Sequence, residues 1–592
     1  MKTLAFAHDG QSVLTSMDPT GTFNVYRVPV TTGAAQPLTR SSDTAIFVRA
    51  GFPGDPRFLY ATDGDGDERS HLHVWQPDGS TRDLTPGRGH QAKFLDFDET
   101  GAWLFVQSNE RDPTVFDLYR YATADYRREL VFRNQPATRI AAISPDARWL
   151  ALTRSEGAGQ SALLVADLRA GTPPRAVAAH LPPGKNRVQG FDSTSRRLRF
   201  SSDGAGEFQE AFSYDLDSRR HRPLLSADWD VVRVAQAPGG RHWLAVVDED
   251  SRRTARVFDG ASDAPIPLSL PVGDVVDSAF SRDGQKLALA ISRDRAATDL
   301  YVVDMRTKTA QRRTDNSNPA IDSEQLVDGQ VVRYQSFDGL SIPAILYRPR
   351  GASRERPAPT LVWVHGGPGG QSRLGYHPLV QYLVNQGYGF LAVNNRGSSG
   401  YGKTFSHLDD RRHGEADLDD CVWAHRYLAS LPWVDGARIG IMGGSYGGYM
   451  TLAALTFRPQ VFAVGVDLYG VSNWVRTLEN LPPRFAAIAR HLHTEVGHPV
   501  RDRERLHRIS PLFHADRIVR PLMVVQGAND PRVLPAESED IVAAVRKRGV
   551  PVEYLLLADE GHGFAKRDNF IRVSRAIVGF LDRHLRADPD DR

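Results

Sequence analysis

Short apolar runs alternate with polar turns through the first half of the chain. The runs are rich in β-branched and aromatic residues, as in residues 103–106, 149–152 and 243–246. Turn signals recur between them at a spacing of about 45 residues, which is in the range of propeller blades. They stand at Asp9-Gly10, Gly54-Asp55, Thr100-Gly101, Pro145-Asp146, Ser193-Thr194, Gly239-Gly240 and Asp283-Gly284. Short strands with this regular spacing predict antiparallel sheets closed in a ring, here a seven-bladed β-propeller.

The pattern changes near residue 320. A polar, turn-rich stretch at residues 315–319 ends the repeat, and beyond it apolar strands alternate with helical patterns such as residues 417–431 and 536–548. The predicted strands are residues 331–334, 342–347, 360–364, 390–393, 438–442, 463–466, 522–525 and 552–557. The first two predict an antiparallel pair, and the others a mostly parallel sheet with helices on both faces. We therefore predict two domains, a propeller over residues 1–320 and an α/β domain over residues 321–592.

Composition and charge narrow the class of protein. A chain of 592 residues is too long for one hydrophobic core, and 41% hydrophobic with 24% charged residues is ordinary for a globular protein. The formal net charge of +2 gives no support to nucleic acid or a membrane surface as a partner. Cys421 is the only cysteine, which excludes an intramolecular disulfide. With no export signal and no apolar run of membrane length, we expect a cytoplasmic protein.

One glycine-rich stretch carries candidate chemistry. The sequence Gly443-Gly444-Ser445-Tyr446-Gly447 follows an apolar strand and leads into a helical pattern. A Gly-x-Ser-x-Gly pattern at a strand-to-helix turn is typical of a nucleophile elbow, in which the serine hydroxyl is presented above the sheet edge. A simple helix cap is the alternative for the pentapeptide alone. The pattern identifies Ser445 as a candidate nucleophile and the second domain as a candidate α/β-hydrolase.

A serine nucleophile needs a base, and the base needs a group that orients it. Asp530 follows the predicted strand at residues 522–525, and His562 follows the strand at residues 552–557. The order serine, acid, histidine is that of α/β-hydrolases. Singly, Asp530 could be an Asx-turn residue and His562 one of 19 ordinary histidines. Together with Ser445, each just beyond a strand, they predict a catalytic triad.

The same chemistry needs donors for a negatively charged oxygen. The N–H of Tyr446, directly after Ser445, is one candidate, and the glycine-rich loop at residues 365–370 supplies the other. We predict the N–H of Gly367 as the second donor, with Gly366 as the alternative. No metal or cofactor is required.

Two acidic stretches in the first half have a simpler interpretation. Residues 63–68 resemble a calcium loop but lack its spacing and its final glutamate, so a hairpin turn is favoured. Glu207 and Glu210 could hold the amino group of a substrate, but a polar turn leading into a strand is favoured there as well.

These motifs together resemble the prolyl oligopeptidase family, most closely its acylaminoacyl peptidase and dipeptidyl-aminopeptidase-like branch. The resemblance rests on residues 365–368, 395–402, 443–449, 530–533 and 561–562. It implies that the propeller caps the hydrolase, with short peptides entering a cavity between the domains, and that Arg532 grips a substrate carbonyl. A surface salt bridge is the alternative for Arg532. Family members often begin with a segment that packs on the hydrolase, whereas this chain enters its first blade almost at once; a homo-oligomer is compatible with the resemblance.

The predicted function is a serine peptidase acting on short peptides, of acylaminoacyl peptidase or oligopeptidase type. Dipeptidyl peptidase and carboxypeptidase action would use the same triad. An esterase or other acyl hydrolase on a non-peptide substrate is a further alternative, since ester cleavage needs the same groups. A binding protein with a vestigial hydrolase is the remaining one, and the intact triad argues against it.

Overall fold

The structure is a computed structural model that describes residues 1–64, 66–87, 89–157, 159–177 and 182–586. Seven four-stranded antiparallel sheets are followed by one eight-stranded mixed sheet. The predicted fold class, a seven-bladed β-propeller followed by an α/β-hydrolase domain, is confirmed. The division predicted at residue 320 falls in the connecting segment, since the last blade strand ends at Arg312 and the first hydrolase strand begins at Gln330.

Each blade consists of four strands that are consecutive in the chain. The strands are β1–β4 (Lys2–Phe6, Ser12–Met17, Asn24–Pro29, Gln36–Pro37), β5–β8 (Phe47–Gly51, Phe58–Thr62, His71–Trp75, Thr81–Asp83), β9–β12 (Ala92–Phe97, Trp103–Asp112, Val115–Ala122, Arg128–Phe132), β13–β16 (Thr138–Ile143, Trp149–Gly157, Gln160–Asp167, Arg175–Ala176), β17–β20 (Asn186–Phe191, Arg197–Ser202, Glu210–Asp215, His221–Leu225), β21–β24 (Asp230–Gln236, His242–Glu249, Arg252–Asp259, Pro265–Ile266) and β25–β28 (Asp274–Phe280, Lys286–Arg293, Ala296–Asp304, Thr309–Arg312). All seven turn signals of the sequence lie between the first and second strands of a blade. The two interior strands hold most of the buried residues of each blade, so buried strands recur at a regular spacing along the sequence.

The ring is closed by packing between the first and last blades, because no blade takes a strand from both ends of the chain. Leu4 and Val28 of the first blade share a buried cluster with Leu300 of the last. Asp277 of the last blade accepts a hydrogen bond from the N–H of Leu4 (2.8 Å) and pairs with Arg233 of the sixth blade (2.8 Å). Closure therefore depends on side-chain contacts and one bridging carboxylate.

The hydrolase domain is built on a mixed sheet. Its strands are β29 (Gln330–Gln335), β30 (Ser341–Tyr347), β31 (Ala358–Val364), β32 (Gly389–Val393), β33 (Val434–Gly444), β34 (Gly465–Leu468), β35 (Leu522–Gly527) and β36 (Val552–Leu557), in the spatial order β29-β30-β32-β31-β33-β34-β35-β36. The β29–β30 and β30–β32 pairs are antiparallel, and the remaining pairs are parallel. The sequence predicted all eight strands, with β34 placed two residues too early.

Helices cover both faces of this sheet. They are α1 (Pro378–Asn385), α2 (Lys403–Ser406), α3 (Ala416–Ala429), α4 (Tyr446–Phe457), α5 (Trp474–Glu479), α6 (Ala486–Glu495), α7 (Arg503–Arg508), α8 (Pro535–Arg546) and α9 (Arg567–Leu581), with 3₁₀ helices at Ser323–Gln325, Pro483–Phe485 and Pro511–Arg517 and a π-helical turn at Asp582–Arg586. One buried cluster joins the sheet to α3, α4 and α8, and a second joins its other face to α1 and α9. Because both faces are buried, the parallel strands are continuously apolar.

The carboxyl ends of the parallel strands meet at one edge. Val364 at the end of β31 pairs with Gly443, Gly444 with Leu468, and Gly527 at the end of β35 with Leu557. The segments that follow these strands therefore emerge side by side. None of the helices in the described ranges has the length and apolar character needed to cross a bilayer.

We predict that Leu300→Ala lowers the stability of the propeller by about 2–5 kcal/mol, because it leaves a cavity where the first and last blades pack. The Leu300 side chain is fully buried, whereas Leu130, also on a blade strand, is 48% exposed. Chemical unfolding followed by tryptophan fluorescence measures the effect, with Leu130→Ala as the matched control. If both substitutions lowered stability by the same small amount, packing between the first and last blades would not be what closes the ring.

Candidate active site

Ser445 occupies the turn between β33 and α4. Its backbone has φ 59° and ψ −117°, a conformation that is costly for a residue with a side chain. The N–H of Ser445 donates to the carbonyl of Leu468 (2.9 Å), which holds the turn against β34. The side chain is half-buried. The local geometry is that of a nucleophile elbow.

Glycines make this turn sterically possible. A Cβ atom on Gly447 would lie 1.9 Å from the carbonyl oxygen of Val364, and one on Gly448 would lie 2.3 Å from Oδ1 of Asp467. A Cβ on Gly443 would lie 2.5 Å from the same Val364 oxygen. The first turn of α4 therefore crosses β31 at a distance that only glycine permits.

The structure brings Ser445, His562 and Asp530 into one line of contacts. Nε2 of His562 lies 2.9 Å from Oγ of Ser445, and Nδ1 lies 2.7 Å from Oδ2 of Asp530. The Asp530 side chain is fully buried and that of His562 is 12% exposed. Oδ1 of Asp530 accepts hydrogen bonds from the N–H groups of Arg532 (2.8 Å) and Val533 (3.0 Å), which fixes the carboxylate. An imidazole held in this way can take the proton of the serine hydroxyl.

The predicted oxyanion loop lies beside the serine. A Cβ on Gly366 would lie 3.4 Å from Cβ of Ser445. His365 anchors the loop, with Nδ1 2.9 Å from the Gly366 carbonyl oxygen and Nε2 2.7 Å from Oγ of Ser398. Burial lowers the pKa of His365 to about 4, so its imidazole is neutral at neutral pH. Within the described part of the chain, no hydrogen bond uses the N–H of Tyr446 or Gly367, so both stay available as donors.

Sequence reasoning missed three residues that support these groups. The buried Glu560 accepts hydrogen bonds from the N–H groups of Ala565 (2.9 Å) and Lys566 (3.0 Å), which ties down the loop that carries His562. The ring of Tyr469 packs on His562 with 4.9 Å between centroids. The hydroxyl of Tyr446 donates to Asp417, a carboxyl whose pKa burial raises to about 7. Of these residues, only Glu560 could have been identified from the sequence, because it stands two residues before the candidate His562.

Arg532 is joined to the propeller by an ion pair. Its Nε and Nη2 lie 2.6 and 2.9 Å from the two carboxylate oxygens of Glu68, which belongs to the connection between β6 and β7. The neighbouring Arg484 donates to the carbonyl of Asp67 (3.0 Å) in the same connection. The favoured turn interpretation of residues 63–68 agrees with this place between two strands, and Asp65 lies outside the described residues. The contact of Arg532 with a substrate stays a prediction.

Glu207 and Glu210 each have a different hydrogen-bond partner. The carboxylate of Glu207 accepts hydrogen bonds from the N–H (2.5 Å) and the hydroxyl (3.0 Å) of Thr404 at the start of α2. Glu210 begins β19 and accepts a hydrogen bond from the hydroxyl of Ser226 (3.1 Å). Glu207 therefore joins the fifth blade to the hydrolase domain.

Two cavities lie where the propeller meets the hydrolase. One, of about 270 Å³, is bounded by the His562 loop and by Lys2, Asp63 and Glu68 of the first two blades. The other, of about 360 Å³, lies among inner strands of the fifth to seventh blades and reaches Arg373 and Gly400 of the hydrolase. Charged side chains line both, as suits polar ligands.

A propeller placed over an α/β-hydrolase with this serine, histidine and aspartate defines a two-domain serine hydrolase. The model of the prolyl oligopeptidase family matches residues 376–588. Over 96% of its length the chain is 31% identical to dipeptidyl aminopeptidase BIII of Pseudoxanthomonas mexicana, 85% of which is covered. The chain belongs to the prolyl oligopeptidase family and is a serine peptidase.

Solved structures share the whole architecture. A puromycin-hydrolyzing peptidase of Mycobacterium tuberculosis superimposes with a TM-score of 0.83 and 21% identity, covering 99% of this chain and 94% of that one. The acylaminoacyl peptidase of Pyrococcus horikoshii superimposes with a TM-score of 0.74 and 16% identity, covering 99% and 95%. At these identities the likeness shows the common fold.

We predict that Arg532→Met raises KM for peptide substrates by on the order of tenfold, because a hydrogen bond from a charged donor contributes about 1.5–3 kcal/mol. Glu68→Gln should lower KM by up to about fivefold, since the guanidinium would no longer have to leave a partly exposed ion pair. Steady-state kinetics on one peptide substrate measure both.

The matched control is Glu553→Gln, which breaks the ion pair with Arg583 (2.6 Å) near the opposite end of β36 from His562. KM should be unchanged in this variant. An Arg532→Met enzyme with normal KM would contradict a contact between Arg532 and the substrate.

Proposed function

We propose that this peptidase hydrolyses short peptides through an acyl-enzyme on Ser445, as an acylaminoacyl peptidase or oligopeptidase. The observation that carries the proposal is the unbroken line of contacts from Oγ of Ser445 through His562 to Asp530, at 2.9 and 2.7 Å. Each distance is within hydrogen-bond reach, as nucleophile activation requires.

In the acylation step His562 accepts the hydroxyl proton through Nε2 while Oγ of Ser445 attacks the carbonyl carbon of the peptide bond. Asp530 orients the ring through Nδ1–H and stabilises the imidazolium. The same proton then passes from Nε2 to the leaving amine as the C–N bond breaks. In deacylation His562 takes a proton from water, whose oxygen attacks the ester carbonyl, and returns it to Ser445.

The N–H groups of Tyr446 and Gly367 are the proposed donors to the oxygen that becomes negative in each tetrahedral intermediate. Support comes from the contact of the 366–367 loop with Ser445 and from the free state of both donors in the described residues. Losing one donor of this kind costs about 10²- to 10³-fold in kcat.

The interdomain cavities, of about 270 and 360 Å³, suit peptides of a few residues and not folded proteins. In this proposal the peptide lies beside His562, with Arg532 holding a carbonyl on the acyl side of the cut bond. Release of free dipeptides is the second candidate, favoured by the similarity over 96% of the chain to dipeptidyl aminopeptidase BIII.

A panel of p-nitroanilides separates these candidates. N-acetyl-amino-acid, free dipeptidyl and longer N-blocked anilides share one leaving group, so differences in kcat/KM report recognition of the acyl part. We expect an N-blocked substrate to be preferred. Preference for free dipeptides would replace the acylaminoacyl proposal with the second candidate, and cleavage of an acyl ester alone would favour an esterase.

We predict that Ser445→Ala lowers kcat by roughly 10³- to 10⁶-fold, because no other group supplies the nucleophile. The fold should be unchanged, since alanine keeps the Cβ already present at this turn. Ser430→Ala serves as the control, because Ser430 follows α3 and its hydroxyl donates to the carbonyl of Tyr427 (2.6 Å). Unchanged hydrolysis by folded Ser445→Ala would remove this residue from the mechanism.

A further inference from the structure

A cluster of buried ionisable side chains lies behind the oxyanion loop and takes no part in the proposed reaction. Asp409 and His413 belong to the segment between α2 and α3, and Glu495 is the last residue of α6. Their exposed fractions are 1%, 0% and 6%. One ligand atom from each of the three residues lies within 4.8 Å of the others.

Two residues of the cluster lack hydrogen-bond partners that buried polar groups ordinarily have. In the described part of the chain, no lysine or arginine side chain forms an ion pair with Asp409 or Glu495. Within the described residues, neither ring nitrogen of His413 forms a hydrogen bond. Oδ1 of Asp409 has no hydrogen-bond partner there either. Buried polar groups are ordinarily hydrogen-bonded, and buried carboxylates are paired or bind a cation. Glu495 has a neighbour in His491, whose Nε2 lies 2.6 Å from its Oε2, whereas His413 and Oδ1 of Asp409 are left unsatisfied by the described residues.

The spacing of two of the ligand atoms fits the binding of both to one cation. Nε2 of His413 lies 3.4 Å from Oδ2 of Asp409. Two atoms bound tetrahedrally to one zinc ion at 2.0–2.1 Å lie about 3.4 Å apart. His491, one turn before Glu495 on α6, offers a fourth ligand. Its Nε2 lies 2.6 Å from Oε2 of Glu495, a hydrogen-bond distance that would have to lengthen to about 3.4 Å for both atoms to bind one ion.

We propose that Asp409, His413 and Glu495 bind one zinc ion, with His491 as the fourth ligand. Two imidazoles and two carboxylates match the donors zinc accepts, whereas magnesium and calcium prefer oxygen alone. The side chain of His491 is 54% exposed and gives the ion a route from solvent.

The ion would connect two parts of the hydrolase domain near the active site. It joins the end of α6 to the segment before α3, where the N–H of Arg411 already donates to the Glu495 carbonyl (2.7 Å). The ring of His413 packs edge-on against Tyr446, with 5.5 Å between centroids. Oε1 of Glu495 lies 3.6 Å from where a Cβ on Gly369 would stand. Its role is structural, since the peptidase reaction needs no metal.

The test begins with the full wild-type chain, stripped by a chelator and dialysed. Calorimetric titration with zinc sulfate should give one ion per chain, and zinc should raise Tm because it binds the folded state. Asp409→Asn and His413→Gln should each weaken zinc binding by at least about tenfold. Asp410→Asn is the matched control, since this neighbouring carboxylate pairs with His407 (2.8 Å) and should bind zinc normally.

Cobalt(II) gives an independent readout if a variant fails to fold. The stripped wild-type chain loaded with cobalt should show the strong visible absorption of a four-coordinate ion, which excess zinc then removes. No stoichiometric zinc binding by the wild type, the weak spectrum of hydrated cobalt, or equal zinc binding by folded His413→Gln would each overturn the proposal.

Discussion

The tight crossing of α4 over β31 is the constraint on which the active site depends. Ser445 has a positive φ, and the next turn of backbone passes so close to Val364 that Gly447 could carry no side chain. The parallel sheet keeps Ser445 in this strained conformation, because β33 pairs with a strand on each side and the N–H of Ser445 donates a hydrogen bond to the carbonyl of Leu468. Backbone contacts therefore fix the position of Ser445 independently of His562 and Asp530.

The remaining groups reach Ser445 because parallel strands end at one edge. Asp530 and His562 follow β35 and β36, which lie beyond β34 in the same sheet. Two of the loops are secured by their own contacts: Glu560 fixes the loop that carries His562, and His365, as a neutral imidazole, fixes the proposed oxyanion loop. A rigid sheet with individually secured loops is the arrangement that preorganised catalysis requires.

The two domains meet through polar contacts. Arg532 pairs with Glu68, Arg373 with the buried Asp248 (3.0 Å), and Tyr401 exchanges a hydrogen bond with Ser251 (2.7 Å). Polar interfaces between domains resemble transient protein interfaces, for which relative motion is the ordinary expectation. Such an interface can admit a ligand without exposing a large apolar surface to water.

The sequence by itself determined the architecture and the order of the chemical groups. Blade turns and buried strands leave a local periodic signal, and the elbow glycines mark Ser445 because few other sequences permit that turn. Asp530 and His562 could be identified because each stands just beyond an apolar strand.

Only the tertiary structure decided which side chains meet across long separations. Glu68 and Arg532 come from different domains, and Asp409 meets Glu495 from another part of the same one. Such contacts depend on how the loops are placed in the folded protein. They leave no periodic pattern in the sequence. The sequence therefore predicted the line from Ser445 to Asp530 but not the ion pair beside it or the buried cluster behind it.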